Sequence, residues 1–274
     1  MSRTMIQAAV TMNQLQQKLD LIGNNLANSQ TTGYKARQAD FSSLLFQQIN
    51  NMTDPRNAEG RLTPDGIRVG SGARLGAINL DLSLGTLKET GRDLDVALLE
   101  QNYLFKIRVT ENNVEEIRYT RDGAFYLSPL ENNQVMLTTK DGDPVLGVGD
   151  QPIIFNDGFD GITISDNGQI MVNRGNYSEY VGQLAVVEAV RPRLLEATGN
   201  NNFRLPDLNA LNYNEADIIQ DVQANVKSGT LETSNVNMAK ELTDLITTQR
   251  SYQFNARTIS MGDQMMGLIN QLRS

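Results

Sequence analysis

Apolar residues recur at steps of three and four near both ends of the chain, a spacing that predicts amphipathic helices. The N-terminal repeat predicts one helix over residues 4–28, in which Met5, Met12, Leu19 and Leu26 alternate with Ala8, Leu15 and Ile22. The C-terminal repeat comprises Met238, Leu242, Leu245, Tyr252, Ala256, Ile259 and Met266. Each repeat forms a narrow apolar stripe along its helix, which we call a seam. Seams this narrow are typical of coiled coils, and an ordinary amphipathic helix is the alternative. Asn28 is expected to end the first helix and Gly33 to turn the chain, because Asn and Gly adopt positive φ most readily.

The middle of the chain consists of short β-prone runs separated by Asn- and Asp-rich turns. The runs are 96–99, 103–109, 117–119, 135–137, 145–148, 153–155, 162–164 and 181–190, with turns expected at 112–113, 122–123, 141–144, 157–158 and 166–168. Because no helical segments separate the runs, we predict antiparallel hairpins in a sandwich or partly open barrel. The predicted fold is therefore mainly β with terminal α-helices.

These patterns divide the chain into three predicted parts. Residues 1–40 and 228–274 are predicted to form one discontinuous coiled-coil domain, and residues 81–227 an antiparallel β body. Residues 41–80 form a transitional segment and extended arm between them. Within this arm, the apolar run from Phe41 to Phe46 could extend a helix until Pro55 ends it, and a further turn is expected at 64–66.

The helix faces outside the two seams carry few charges. Amides and hydroxyls dominate there, such as Gln14, Gln17, Asn24, Thr247, Ser251 and Asn255. A solvated coiled coil normally carries Glu and Lys along its flanks, whereas hydrogen-bonded uncharged side chains can be buried at lower cost. We therefore predict that both helices pack on several sides, as in a polymer interior, with a solvated polar face as the alternative.

Composition excludes several classes of protein. The chain of 274 residues has no Cys, His or Trp, so disulfides, thiol catalysis and histidine-based metal sites are absent. The formal net charge is -8, and residues 1–40 carry four basic against two acidic side chains, so the acidic excess lies in the middle. This distribution argues against binding to nucleic acid or to an anionic membrane. Neither a secretory signal nor a membrane-spanning apolar run is evident.

No pattern of catalytic or metal-ligating residues stands out. The Asp-rich stretches 141–143 and 157–160 lack the ligand series of an EF-hand, and 70–76 lacks the dinucleotide-binding spacing. We predict no catalytic residue, cofactor or metal, and hence no enzyme. The alternative from another class is a carboxylate-dependent hydrolase, since 32 acidic residues allow many carboxylate pairs. A β-domain binding module that uses its helices only to oligomerise is a further rival.

Four segments carry a specific resemblance. They are 22–28 (Ile-Gly-Asn-Asn-Leu-Ala-Asn), 31–35 (Thr-Thr-Gly-Tyr-Lys), 120–125 (Thr-Arg-Asp-Gly-Ala-Phe) and 228–237 (Ser-Gly-Thr-Leu-Glu-Thr-Ser-Asn-Val-Asn). In this order they resemble the signatures of the bacterial flagellar rod and hook protein family, over nearly the whole chain. Residues 66–74 most resemble the distal rod members. Gly23 departs from the family pattern, where Ala is usual, and a proximal rod or hook-like paralogue remains an alternative.

The resemblance implies a structural subunit of the flagellar basal-body rod that polymerises through its terminal helices and transmits torque to the hook. Its implied partners are copies of itself, other rod and hook proteins, and the flagellar export apparatus. It also implies a place in the basal body outside the cytoplasmic membrane, reached without a cleaved signal peptide. Neither nucleic-acid binding nor direct membrane insertion is expected.

An assembly interface is expected at the seams and at the signatures beside them. The predicted residues are Met5, Met12, Leu15, Leu19, Ile22, Asn24, Asn25, Leu26, Asn28, Gly33, Tyr34, Ser234, Asn235, Val236, Asn237, Leu242, Leu245, Tyr252, Ile259 and Met266. The asparagines are expected to satisfy backbone groups at helix ends and turns, with a purely local capping role as the alternative.

Overall fold

A computed structural model describes residues 3–43, 47–49, 67–69, 73–111, 113–208 and 213–273. The chain divides into two compact units. Unit 1 comprises residues 1–26, 37–78 and 238–274, and unit 2 comprises residues 27–36 and 79–237. Both units are therefore built from segments that lie far apart in the sequence.

Unit 1 contains the two long helices. Helix α1 spans Arg3–Ala27 and helix α2 spans Met238–Arg273. Two short strand pairs accompany them: β1 (Arg37–Ser43) lies beside β4 (Ala73–Leu80), and β2 (Gln47–Ile49) pairs antiparallel with β3 (Ile67–Val69). The predicted terminal helices are confirmed, and α1 begins and ends within one residue of the predicted bounds.

Two local predictions are wrong, the helical assignment of Phe41 and the positive φ of Asn28, although α1 does end beside Asn28, at Ala27. Phe41 belongs to strand β1 and not to a helix, because pairing with β4 overrides the local apolar pattern; the remainder of that run, residues 44–46, lies outside the described residues, as do the turns expected at Pro55 and 64–66. Asn28 does not adopt a positive φ. It accepts instead a backbone hydrogen bond from the Thr31 amide to its carbonyl at 3.1 Å.

Unit 2 is an antiparallel β body. Its strands are β5 (Leu87–Glu89), β6 (Val96–Leu98), β7 (Tyr103–Glu111), β8 (Val114–Thr120), β9 (Tyr126–Leu130), β10 (Gln134–Thr138), β11 (Leu146–Gly147), β12 (Gln151–Pro152), β13 (Ile154–Asn156), β14 (Gly161–Ile164), β15 (Gln169–Arg174), β16 (Tyr177–Gln183), β17 (Val186–Ala189), β18 (Glu196–Gly199), β19 (Asn202–Arg204), β20 (Ile219–Val222), β21 (Val226–Ser228) and β22 (Thr230–Glu232).

The largest sheet has six strands in the order β18-β19-β8-β7-β17-β20. Two three-stranded sheets follow the orders β13-β10-β9 and β14-β15-β16, and three further pairs are β11-β12, β21-β6 and β22-β5. Alternate side chains point into an apolar core in which Phe105 and Phe125 meet edge to face, with ring centroids 5.1 Å apart. The predicted fold class, mainly β with terminal helices and an antiparallel body, is confirmed.

The φ angles of four glycines test the predicted turns. Gly142, Gly158 and Gly168 have positive φ angles of 88°, 80° and 77°, as Asp/Asn-Gly turns require. Gly123 does not have a positive φ. A Cβ on Gly123 would lie 1.7 Å from the Val96 carbonyl oxygen, so this glycine permits close packing of two backbone segments.

The predicted long run 181–190 is two strands. It divides between β16 and β17, which belong to different sheets, and Leu184 and Ala185 connect them. Both connecting residues are buried, so hydrophobicity gives no sign of the break.

Replacing Gly23 with alanine should stabilise α1 by about 0.5–1 kcal/mol, since a mid-helix glycine costs that much backbone entropy. Among the described residues, nothing outside the helix's own backbone lies within 4 Å of the Cβ that the substitution adds. The thermal transition of the helical circular dichroism would report the gain. Gly262→Ala in α2 is the matched control, because its Cβ would lie 2.9 Å from Met5 Cγ and no comparable gain is expected. Equal effects of both substitutions would contradict the prediction.

Candidate functional site at the junction of the terminal segments

Three charged side chains from distant parts of the sequence meet in the interior of unit 2. They are Lys35, Arg121 and Glu232, with exposed fractions of 1%, 2% and 2%. Lys35 lies in the segment that follows α1, Arg121 lies just after β8, and Glu232 ends β22, six residues before α2 begins. We call these three side chains the ion cluster. It joins residues 27–36 (the N-terminal segment) to residues 228–237 (the C-terminal segment).

Glu232 is the shared anion of the ion cluster. Its Oε1 accepts hydrogen bonds from Lys35 Nζ and from the Gly85 amide, both at 2.6 Å. Its Oε2 accepts from Arg121 Nε at 2.5 Å. Both carboxylate oxygens are thus occupied by charged or backbone donors, the strongest arrangement open to a buried carboxylate.

Backbone carbonyls take up the remaining donors of the two cations. Lys35 Nζ donates to the Ser83 carbonyl at 2.6 Å. The Arg121 guanidinium donates to the carbonyls of Tyr103 and Glu100, at 2.5 and 2.8 Å. The cluster therefore holds two cations against one carboxylate, and neutral dipoles supply the rest of the stabilisation.

This imbalance determines the pKa directions. Burial raises the pKa of Glu232, but the charges of Arg121 and Lys35 and their hydrogen bonds outweigh it and hold the pKa of that carboxyl below its ordinary value. Burial and the positive charge of Arg121 lower the pKa of Lys35, against the opposing effect of Glu232. Glu232 is consequently the group whose loss would leave like charges facing each other in the interior.

Asn235 forms a second link between the two terminal segments. Its side-chain oxygen accepts from the Ala36 amide at 2.7 Å, and its side-chain nitrogen donates to the Asp81 carbonyl at 2.8 Å. The Asn235 backbone amide donates to the Tyr34 carbonyl at 3.4 Å, so the segment that follows α1 and the segment that precedes α2 run side by side.

Two glycines allow the terminal segments to approach the β strands. Gly33 has a φ of 64°, and a Cβ there would lie 2.6 Å from the carbonyl carbon and oxygen of Arg121. Its amide donates to the Glu232 carbonyl at 2.8 Å. A Cβ on Gly85 would lie 2.0 Å from the Thr233 carbonyl oxygen. No other residue type fits at either position without backbone displacement.

In unit 1, α1 and α2 pair within one chain. Asn25 donates through Nδ2 to Glu241 Oε1 at 3.2 Å, and it also donates to the Arg37 carbonyl and accepts from the Arg37 amide. Far along the pair, Met5 packs against Gly262. Residue numbers rise along one helix as they fall along the other, so the pair is antiparallel.

The predicted interface residues differ widely in burial. Leu15, Ile22, Asn25, Gly33 and Tyr34 are buried. Partly buried are Met5, Met12, Leu19, Leu26, Asn28, Ser234, Asn235, Val236, Leu245, Tyr252 and Ile259, whereas Asn24, Asn237, Leu242 and Met266 are exposed. The structure brings Asn235 together with Tyr34, and in the helix pair it places Glu241, which was not predicted, against Asn25.

A row of exposed apolar residues on α2 was not predicted. Phe254, Met261, Met265, Leu268 and Leu272 recur at helical spacing, and Phe254 and Leu268 are 73% and 60% exposed. We call these five residues the exposed stripe. It differs from the partly buried row of Leu245, Tyr252 and Ile259, so apolar side chains surround much of α2. Such a helix is typical of one that is covered on several sides.

Several polar side chains along α2 are hydrogen-bonded within the helix. Hydroxyls of Thr243, Thr247, Ser251 and Thr258 donate to the carbonyl four residues earlier at 2.8–3.0 Å. Asn255 Nδ2 does the same to the Ser251 carbonyl at 2.9 Å. Because these donors do not depend on water, burying this face costs less free energy than burying free polar groups.

The ion cluster was also missed by sequence reasoning, although a signal was present. Lys35 is the only charged residue between Asp20 and Arg37, and Glu232 is the only one between Lys227 and Lys240. Single charges of opposite sign in long uncharged segments suggest a buried pair.

Glu241→Gln should stabilise the helix pair at pH 7 by less than about 1 kcal/mol, while keeping the oxygen that accepts from Asn25. Burial raises the pKa of Glu241, the Asn25 hydrogen bond opposes this, and Asp244 adds to it. Because the folded pKa is raised, the ionised form costs stability above that pKa, and the cost disappears as pH falls through it. Hydrogen exchange of the α1 and α2 amides at pH 7 and in acid would show this. A gain that is independent of pH would contradict it.

Among the described residues, no helix is long and apolar enough to cross a membrane.

Family models match three parts of the chain. The model for the flagella basal body rod protein matches residues 7–35, that for the flagellar hook protein FlgE/F/G D1 domain matches 104–172, and that for the flagellar basal body rod FlgEFG protein C-terminal matches 227–272. Lys35, Arg121 and Glu232 each lie in a different matched range.

Similar proteins align over nearly their whole length. The chain is 40% identical to the flagellar hook-basal body complex protein FlhP of Bacillus subtilis, with 100% of both chains covered. It is 34% identical to the flagellar basal-body rod protein FlgG of Agrobacterium fabrum, with 98% of each covered. Identity to FlgG of Bacillus subtilis is 30%, with 97% of each covered.

Proposed function

This chain belongs to the bacterial flagellar basal-body rod and hook protein family, and from that premise we propose that it is a structural subunit of the rod, of the distal type, without catalytic activity. Members of this family are structural flagellar proteins that assemble with other rod and hook components. The single observation that carries the proposal is the exposed stripe of α2, whose apolar side chains one chain leaves uncovered.

The chemistry of α2 fits packing among many helices. Its exposed stripe would bury apolar area against neighbouring copies, and its hydroxyls already have partners within the helix. In this proposal the predicted seam residues, from Met5 to Leu26 on α1 and from Leu242 to Met266 on α2, contribute the assembly interface. The helices would form a terminal helical domain and residues 81–227 a separate β body.

The distal assignment rests on the relatives named FlgG, which match along the whole chain. The higher identity to FlhP than to FlgG of the same organism favours a second rod-type paralogue as the alternative. In either case the subunit would bind copies of itself and other rod or hook proteins. It would reach the basal body through the flagellar export apparatus without signal cleavage and would transmit torque to the hook.

Leu268→Asp tests the proposal. Leu268 is exposed in the single chain, so the variant should fold normally yet fail to enter the rod, because assembly would bury an unpaired charge. Immunoblots of purified basal bodies and swimming assays measure the outcome. Gln264→Asp is the matched control, since it adds the same charge at an exposed polar position of α2.

Normal incorporation of the Leu268→Asp variant would contradict the proposed role of α2. Electron microscopy of basal bodies from a strain without this protein would separate the candidate positions. A rod that stops short of its distal end supports the distal assignment, and a missing proximal part or an intact rod without its hook supports a paralogue.

A further inference from the structure

Glu232 lies between two cations that belong to different parts of the chain. Lys35 is 197 positions away in the sequence and Arg121 is 111 positions away, yet both donate to this one carboxylate. Lys35 and Arg121 have no other carboxylate among their hydrogen-bond partners in the described chain. Their compact arrangement is electrostatically acceptable only while Glu232 is present.

Each terminal segment also makes contacts of its own with the β strands. On the N-terminal side, the Asp81 amide donates to the Ala36 carbonyl at 2.9 Å. On the C-terminal side, the Thr230 amide donates to the Asp95 carbonyl at 3.2 Å and the Thr233 amide to the Thr86 carbonyl at 2.9 Å. None of these three bonds involves the opposite segment, and the Thr230 and Thr233 amides report the docking of the C-terminal segment. The Asp81 amide reports the N-terminal segment, although the Asp81 carbonyl also accepts a hydrogen bond from Asn235.

Without Glu232, docking of the N-terminal segment would bury Lys35 beside Arg121, and only carbonyl dipoles and the more distant charge of Asp81 would compensate the two charges. Without Lys35 and the Gly33 amide, docking of β22 would lose two donors to Glu232, one to its side chain and one to its carbonyl. Either segment therefore binds less well when the other is absent, which is a coupling free energy between the two.

From this arrangement we infer that the ion cluster couples the docking of the two terminal segments. Residues 27–36 and 228–237 therefore dock on the β body cooperatively, as one unit. The N-terminal segment, although made first, stays undocked until the last strands of unit 2 are available. In the proposed rod subunit, and only on that premise, the segments that adjoin the end of α1 and the start of α2 stay undocked until the chain is complete.

Hydrogen exchange of the purified full-length protein tests the coupling from both sides. Lys35→Met should accelerate exchange of the Thr230 and Thr233 amides at least about tenfold, although neither contacts Lys35. Glu232→Gln should accelerate exchange of the Asp81 amide to a similar extent. The Asp160 and Ser165 amides, bonded within the sheet of β14, β15 and β16, should change less than about twofold and so exclude global unfolding.

Lys227→Met is the matched control. Lys227 makes an exposed ion pair with Glu89 at 2.9 Å on the neighbouring strand, so the same loss of charge there should leave the Asp81 amide unchanged. The coupling is overturned if Lys35→Met affects only Asp81 and residues 33–36, with Thr230 and Thr233 exchanging as in the unmodified protein.

A second measurement needs no variant. In low concentrations of urea, the Asp81, Thr230 and Thr233 amides of the unmodified protein should exchange through one opening with the same free energy and the same urea dependence. If the Asp81 amide and the two threonine amides exchanged through openings of different free energy, the inference would be overturned, even if both variants failed to fold. Because the monomer alone is measured, such a result would leave the proposed rod function standing.

Discussion

Replacing Glu232 with glutamine should lower the free energy of unfolding by about 3–5 kcal/mol, the cost of removing one partner from a buried ion pair. The substitution keeps the shape of the side chain. It leaves Lys35 and Arg121 facing each other without an anion, and it turns an amide donor towards one of them. Urea unfolding, followed by the near-ultraviolet circular dichroism of the tyrosines, measures the loss.

Glu89→Gln is the matched control for this substitution. Glu89 lies on β5, directly opposite Thr230 of β22, and pairs with Lys227 at the surface. The same change there should cost far less free energy of unfolding than Glu232→Gln, since exposed ion pairs contribute little. Equal losses of unfolding free energy in the two variants would show that burying the ion cluster does not increase its contribution to stability.

The stability that Glu232 contributes should depend on pH with a definite sign. Its folded pKa lies below its ordinary value, so the contribution is fully present above the unfolded pKa and is lost as pH falls through the folded pKa. The unmodified protein should therefore lose stability in acid more steeply than the Glu232→Gln variant.

Gly33→Ala should destabilise unit 2 by about 2–5 kcal/mol, from two separate causes. A left-handed conformation costs a residue with a Cβ about 1–2 kcal/mol, and overpacking a tight site adds about 1–3 kcal/mol. The overpacking arises because the new Cβ would meet the backbone of Arg121 and Asp122 at 2.6–2.7 Å, where no flexible side chain can yield. The hydrogen bond from the Gly33 amide to Glu232 would be displaced as well.

Gly91→Ala separates the two causes. Gly91 has a nearly identical φ of 70°, but no described residue beyond its chain neighbours lies within 4 Å of its added Cβ. Only the conformational cost of about 1–2 kcal/mol should remain in this variant. If the two alanine variants unfold at the same urea concentration, the close approach of the N-terminal segment to Arg121 is not what makes Gly33 necessary.

Local sequence patterns correctly predicted the helix and turns whose conformation depends mainly on residues nearby in the chain. The seam of α1 located its helix to within one residue, and the Asp/Asn-Gly turns at Gly142, Gly158 and Gly168 have the expected positive φ. Phe41 was assigned wrongly because its strand is stabilised by β4, which is distant in the sequence. Gly123 lies in the same Asp-Gly context as true turns, yet its conformation is determined by contact with the Val96 carbonyl.

Local patterns single out Lys35 and Glu232 as isolated charges of opposite sign, but they do not predict how the ion cluster is assembled. The resemblance identified the segments that contain Lys35, Arg121 and Glu232, but their convergence depends on strand pairing between residues far apart. The exposed stripe of α2 was missed for a different reason. Its apolar residues compete with a second apolar row on the same helix, so no single seam describes α2.

A double-mutant cycle between Lys35→Met and Glu232→Gln tests the central claim most directly, namely that one buried carboxylate holds the two terminal segments together. Unfolding free energies of the unmodified protein, both single variants and the double variant give the coupling energy. We predict a coupling of at least about 2 kcal/mol, because removing Lys35 relieves part of the repulsion that the loss of Glu232 creates. Additive losses, to within about 0.5 kcal/mol, would contradict the account.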